Sequence, residues 1–188
     1  MKLNAIEKVC LLKLARRTIQ AVLHGKSVDE IEIPAGELTP VLLEKRGVFV
    51  SLHEEHELRG CIGYIQPLMP LWQAVIENAR NAAFRDPRFT PLGASALAGV
   101  HIEISVLTPP EVINDLSEFR IGIDGIILKK DVHQAVFLPQ VAPEQGWDRE
   151  TTLKHLSLKA GLDADVWREG ASFETFQAEV FSEADFSV

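Results

Sequence analysis

The sequence predicts an α+β fold: a mainly antiparallel sheet with packed helices, in a larger and a smaller lobe with a groove between them. Three observations carry that expectation. Apolar residues recur at helical spacing over residues 4–24 and 70–84. Residues 100–107 alternate strictly, and residues 47–65 and 123–138 each read as two alternating runs around a charged turn, the mark of hairpins. Helices and strands do not follow one another in regular βα repeats, and no GxGxxG stretch opens a helix, which argues against a doubly wound sheet. The chain has 188 residues, 46% of them apolar. That suits one domain over 1–188, in a single piece or as two lobes sharing one core.

The elements follow in order. Asn4 stands as an N-cap with Glu7 three residues on, the spacing of a capping box, and opens a helix that runs to about His24 and ends at Gly25. Its apolar stripe takes in Ile6, Val9, Cys10, Leu12, Ile19, Val22 and Leu23. Residues 26–46, with Pro34, Gly36 and Pro40, read as a loop with a short turn. GVFVSLHEEHELRGCIGYI at 47–65 forms the first hairpin, turning at His53–Glu57. A helix over 70–84 places Trp72, Val75, Ile76, Ala79 and Ala83 on one face, and Asp86-Pro87 stops it. RFTPLGASALAG at 88–99 is a connection with one helical turn. In VHIEISVL at 100–107, Val100, Ile102, Ile104 and Val106 face one side. TPPEVI at 108–113 ends that strand. The second hairpin turns at Lys129–His133. QVAPEQGWD is a rigid loop leading to a helix capped by Asp148 and stopped by Gly161. A turn or two follows over 163–170, and FETFQAEVFSE closes the chain as one strand returning to the main sheet.

The formal net charge is −8, from 27 acidic and 19 basic residues. A phosphate-binding surface needs a basic face, so general nucleic-acid binding is not expected. The cysteines are Cys10 and Cys61, with no CxxC pair and no disulfide framework. Lys13, Arg16 and Arg17 interrupt the first apolar run, so it reads as an amphipathic helix rather than a leader, and no stretch is long enough to span a bilayer. A thiol-reduced, cytoplasmic protein is the expectation.

The chemistry concentrates at LRGCIG, residues 58–63. In an extended strand Arg59 and Cys61 share a face, where a guanidinium favours the thiolate. Gly60 and Gly63 allow a ligand or another strand to come close. Three readings of Cys61 stand side by side: an inert packed thiol with Arg59 paired to a glutamate, a ligand contact, and a nucleophile. Glu103, a carboxylate within an apolar strand, needs a partner, and Arg59 suits it if their strands are neighbours. Arg85 and Arg88, with Arg80, flank a helix C-terminus, either as caps and surface pairs with Asp86 or as the rim of an anion site. Gln140, Glu144, Gln145, Trp147 and Asp148 either organise a groove or bracket the fold through Trp147. His101 and Glu103 would need a third metal ligand from elsewhere, His53-x-x-His56 reads as a solvated turn, and no metal is expected.

LRGCIG at 58–63, NAAFRDPRF at 81–89, IEISVLTPPE at 102–111 and LPQVAPEQGWD at 138–148 together resemble the AmmeMemoRadiSam system protein A family. That family includes the domain of the human protein encoded in the Alport-syndrome, midface-hypoplasia and elliptocytosis chromosomal region. The resemblance covers nearly the whole chain, to the closing FQAEVF. It implies a compact α+β fold in two lobes, with LRGCIG near the groove between them. It implies no established reaction. The family name records co-occurrence with a Memo-like protein and a radical S-adenosylmethionine protein, so these are the implied partners. The implied role is an accessory or partner-binding component. The alternative is a small-ligand enzyme using Cys61 with Arg59 and Glu103 as its candidate catalytic residues. No cofactor is expected to be bound by this chain alone, because two cysteines cannot supply a four-cysteine cluster. The chain departs from the family pattern at HQAVF before LPQV, and at Ser157, where a cysteine is common.

Overall fold

The computed structural model describes residues 2–31, 33, 36–55 and 57–186. Pro34 in the expected loop and His56 in the expected first turn lie outside the described residues. The chain divides into two compact units, one of Met1–Leu107 with Glu179–Val188 and one of Thr108–Ala178. Buried apolar side chains gather into two clusters.

In the first unit, helix α1 (Ala5–Leu23) begins at the anticipated capping box: Asn4 Oδ1 accepts the Glu7 N–H at 2.9 Å and Glu7 Oε2 accepts the Asn4 N–H at 2.8 Å. Glu7 Oε1 also accepts the Thr39 hydroxyl at 2.6 Å, which ties this cap to the turn before the short helix α2 (Pro40–Leu43). Leu11, Leu12, Ala15 and Ile19 form the buried stripe of α1. Ile6 does not join it and is 81% exposed, because it sits in the first turn on the opposite side. Cys10 is half-buried, with Sγ 3.7 Å from Glu37 Oε2.

Strands β1 (Val48–Glu54) and β2 (Glu57–Tyr64) make the first hairpin, helix α3 (Leu71–Phe84) follows, and β3 (Val100–Leu107) pairs antiparallel with β1. The sheet runs in the order β2-β1-β3-β8, where β8 is Ala178–Ser182. Val48, Val50 and Leu52 of β1 and Ile102 and Ile104 of β3 bury completely in one cluster with residues of α1 and α3. Each such aliphatic contributes roughly 1.5–3 kcal/mol relative to exposure. The alternation that buries these residues turns Phe49, Ser51, His53, Glu103 and Ser105 to the opposite face.

The second unit holds a sheet in the order β4-β7-β5-β6, from β4 (Glu111–Ile113), β5 (Gly125–Lys130), β6 (His133–Phe137) and β7 (Ser172–Phe176). β5 and β6 are the anticipated second hairpin, antiparallel, and β7 is antiparallel to both β4 and β5. Helices α4 (Val141–Gln145) and α5 (Arg149–Lys159) complete it, with Leu153 and Leu156 of α5 in the cluster of Ile126, Leu128 and Phe173. Three details differ from the sequence reading. β4 is a three-residue strand inside TPPEVI, too short to show a period. α4 forms within the expected loop because Pro143 falls in its first turn, where a missing N–H costs nothing. FETFQAEVFSE is two strands in two sheets: the period breaks at Gln177, whose N–H is taken by Thr108 Oγ1 at 2.9 Å, so Phe176 and Phe181 are both buried across an odd spacing.

Candidate functional site

LRGCIG occupies β2, an edge strand of the first sheet. Cys61 lies opposite Ser51, and Ser51 lies opposite Glu103, so the three side chains line up across β2, β1 and β3. The Ser51 hydroxyl donates to Cys61 Sγ at 3.2 Å. Cys61 directs both its backbone groups away from β1: its N–H goes to Asp86 Oδ2 at 2.9 Å and its carbonyl accepts from Arg88 Nη2 at 3.1 Å. That makes Ser51 and Cys61 a non-hydrogen-bonded antiparallel pair, the kind in which side chains come closest.

Asp86 and Arg88 thus stand in for the missing neighbour of an edge strand. Arg88 grips Asp86 through Nε at 3.0 Å and Nη2 at 2.7 Å, and donates its backbone N–H to the same carboxylate at 3.1 Å. Asp86 is buried while Arg88 is largely exposed. The Arg88 hydrogen bonds, helped by the Cys61 N–H, hold the Asp86 carboxyl far below the usual carboxylate range despite its burial. Asp86, expected as a helix stop and a surface partner for arginines, is the buried anchor of the motif. The pair Asp86-Pro87 between two arginines is the signal that could have marked it, because a helix-stopping turn aims Asp86 back at the preceding strand.

Arg59 takes a different place from the one expected. The register slips between Leu52 and His53, so that Gly60 pairs with Leu52 and Leu58 with His53, leaving Arg59 as the bulged residue. Its guanidinium donates to the Thr90 carbonyl at 2.7 Å, lies 5.9 Å from the centre of the Phe89 ring, and has Glu54 Oε2 at 3.9 Å. The expected Arg59–Glu103 pair does not form, because β1 lies between their strands. Glu103 instead has His53 Nε2 at 4.0 Å, too long for a hydrogen bond.

Among the three readings of Cys61, burial favours the packed thiol. Burial pushes the Cys61 thiol above its ordinary value; the Ser51 hydroxyl and Arg88 pull it down, and Asp86 and Glu103 push it up. Arg59 has no part in this balance. Gly60 serves packing: a Cβ there would stand 2.2 Å from the Ala82 carbonyl oxygen of α3. Gly63 likewise lies against the Phe49 ring. Arg85 closes α3 with its backbone N–H and is exposed.

In the second unit Gln140 precedes α4, and Glu144 and Gln145 are exposed on it. Trp147 is half-buried and stacks on His155 of α5, centroids 4.0 Å apart and planes 6° from parallel, with Phe137 at 5.7 Å. Asp148 accepts the Thr151 N–H at 2.8 Å as the anticipated cap of α5. Trp147 and Asp148 therefore have bracketing contacts within their own unit. Ser157 is buried, its hydroxyl bonded to the Leu153 carbonyl at 3.0 Å. Among the described residues no three His, Cys, Asp or Glu side chains gather where they could hold a metal ion, and no helix is long and apolar enough to cross a membrane.

The sequence and the fold match a known class. The AMMECR1 family model fits residues 12–181, and the chain belongs to that family, the one its motifs resemble. A protein of Methanosarcina acetivorans is 43% identical over 179 residues, covering 93% of this chain and 90% of its own. The protein MJ0810 of Methanocaldococcus jannaschii is 40% identical over 195 residues, covering 98% and 94%. Among solved structures, the uncharacterized protein PH0010 of Pyrococcus horikoshii is similar at a TM-score of 0.82 and 41% identity, over 92% of this chain and 89% of that one.

Proposed function

We propose that this chain is an accessory, partner-binding component that works with a Memo-like protein and a radical S-adenosylmethionine protein. The sheet face around Cys61, Ser51 and Glu103 is its recognition surface. One observation carries the reading. Asp86 and Arg88 are both spent on the backbone of Cys61, while burial pushes its thiol up. That is the construction of a rigid presenting strand, in which edge groups are satisfied and side chains held in register. Nucleophilic use of a thiol asks for the opposite balance, a thiolate favoured by nearby cations.

The test is co-purification of the chain with each tagged partner, repeated with Ser51→Ala, Cys61→Ser and Glu103→Gln. Loss of a complex in these variants, with unchanged melting, is the expected result. Proteins that stay separate under every condition overturn the reading. A second reading has its own observation: the Ser51 hydroxyl on Sγ favours the thiolate locally, as a small-ligand enzyme using Cys61 would need. Iodoacetamide labelling across pH separates them. Fast Cys61 labelling at neutral pH supports the enzyme; slow labelling that rises only in alkali supports the presenting strand.

A further inference from the structure

We propose that the first unit carries a second binding site, for an apolar monocarboxylate, in the depression between α3 and the turn at residues 28–31. Two observations bear on it. The first is the space itself: a depression of about 450 Å³, with Met69, Trp72 and Ile76 supplying apolar walls and Asp29, Glu77 and Arg80 among the polar lining. Its size falls in the range of small-molecule sites, which combine apolar walls with a few placed polar groups.

The second observation is a concentration of unmet hydrogen-bonding capacity. Among the described residues, six buried side-chain polar atoms lack a partner, and four of them belong to α3: Trp72 Nε1, Asn78 Oδ1, Arg80 Nε and Asn81 Oδ1. Buried polar atoms without partners are rare in folded proteins and each asks for a reason. Two of the four, on Trp72 and Arg80, belong to residues lining the depression. Both are N–H donors, so the missing group is an acceptor.

The lining narrows its chemistry. A guanidinium in the lining favours a charged acceptor, and a planar carboxylate fits a guanidinium edge. Asp29 and Glu77 in the same lining repel a second negative charge, which disfavours phosphate esters and dicarboxylates. The apolar walls take the remainder of the ligand. Both nitrogens are sealed from water, so a ligand reaches them only when the half-buried Trp72 and Arg80 side chains both turn toward the depression. This site involves neither Cys61 nor its clamp and does not depend on the partner-binding reading.

The experiment titrates the full chain with phenylacetate, phenylacetamide and inorganic phosphate, following the indole N–H signals of Trp72, Trp147 and Trp167 by two-dimensional NMR. Trp72→Phe assigns the relevant signal. The expected result is a saturable shift of the Trp72 signal with phenylacetate, at least about fivefold tighter than with phenylacetamide, as a charge-assisted bond requires. Phosphate leaves that signal in place, and Arg80→Gln brings the acid down to the level of the amide. The proposal is overturned if Trp72 stays silent into the tens of millimolar, if acid and amide bind alike, or if phosphate competes. The comparison of acid with amide uses the unaltered protein, so it stands whether or not Arg80→Gln folds.

Discussion

In the first unit Arg88 holds Asp86 through Nε and Nη2 and adds its own backbone N–H. In the second, Arg120 holds Asp124 through Nε at 2.8 Å, Nη2 at 2.7 Å and its backbone N–H at 3.0 Å. Both aspartates are buried and both arginines are more than half exposed. The chemistry is the same, but the reach differs. The Asp124 fork closes a five-residue turn and receives one further bond, from Gln177 Nε2 at 3.3 Å. The Asp86 fork extends 25 residues back to grip both backbone groups of Cys61. A local fork stabilises a turn; a long-range fork fixes the register and position of an edge strand whose side chains line the candidate site.

The largest effect is expected from breaking the long-range fork. Asp86→Ala leaves Arg88 without its partner and the Cys61 N–H without an acceptor. Removing one member of a buried pair costs about 3–5 kcal/mol, and the exposure of Arg88 brings this case down to about 2–3 kcal/mol. Asp124→Ala should cost a similar amount in denaturant unfolding. Hydrogen exchange distinguishes them: Asp86→Ala speeds exchange at the Cys61 amide, and Asp124→Ala does not. Equal Cys61 protection in both variants would show that the Asp86 fork does not hold the edge strand. The pH dependence sharpens it. Burial pushes the Asp124 carboxyl up, but the Arg120 hydrogen bonds outweigh it and hold it below its usual value, while Asp86 is held lower still. A carboxyl depressed in the folded state contributes stability that is full above its unfolded value, about 3.9, and is lost as pH falls through the folded value. Stability should therefore fall below about pH 4, and Asp86→Asn should flatten that fall more than Asp124→Asn.

A glycine on each sheet gives the next contrast. A Cβ at Gly60 meets the Ala82 backbone carbonyl at 2.2 Å, whereas one at Gly125 meets the Phe176 ring at 2.3 Å. A ring can shift and a helix backbone cannot without moving α3. Gly60→Ala should cost about 2–3 kcal/mol and Gly125→Ala about 1 kcal/mol, within the usual span for overpacking. Thermal melts of the two variants check the order, and a milder Gly60→Ala would show that α3 yields more readily than its backbone contact implies.

Periodicity made most of the fold legible, and the places where it misled have physical causes. Val48, Val50 and Leu52 alternate and are buried, and Asn4 with Glu7 announces the first helix. β4 is too short to carry a period, and the closing segment changes sheets at Gln177, where a reading of one strand loses phase. At the site, the alignment of Cys61 with Glu103 needed the strand order, and Ser51, between them, looked like any polar residue on a solvent-facing position. The bulge at Arg59 is invisible to an i, i+2 argument, which assumes unbroken pairing. Asp86 was hidden for another reason: burial of a charged residue depends on a partner's backbone 25 residues away, and no local pattern encodes that.

The smallest expected effect is at Arg59 itself, the residue the sequence placed at the centre of the chemistry. Arg59 gives one strong hydrogen bond, to the Thr90 carbonyl at 2.7 Å, with a longer approach to Thr90 Oγ1 at 3.4 Å. Its ion pair with Glu54, at 3.9 Å, joins a carboxylate that is 41% exposed, and such pairs contribute about 0–1 kcal/mol. Arg59→Lys keeps the charge and can keep one donor near Thr90, but a compact ammonium cannot lie flat over Phe89 as a guanidinium does. The net cost to stability should be about 0.5 kcal/mol, read as a small midpoint shift in urea with no change in slope. Cys61 labelling should stay as slow as before, because Arg59 takes no part in the thiol's balance. If Arg59→Lys instead changed the pH profile of Cys61 labelling, the guanidinium would have to reach the thiol in solution, and the bulge that turns it toward Thr90 would not persist there.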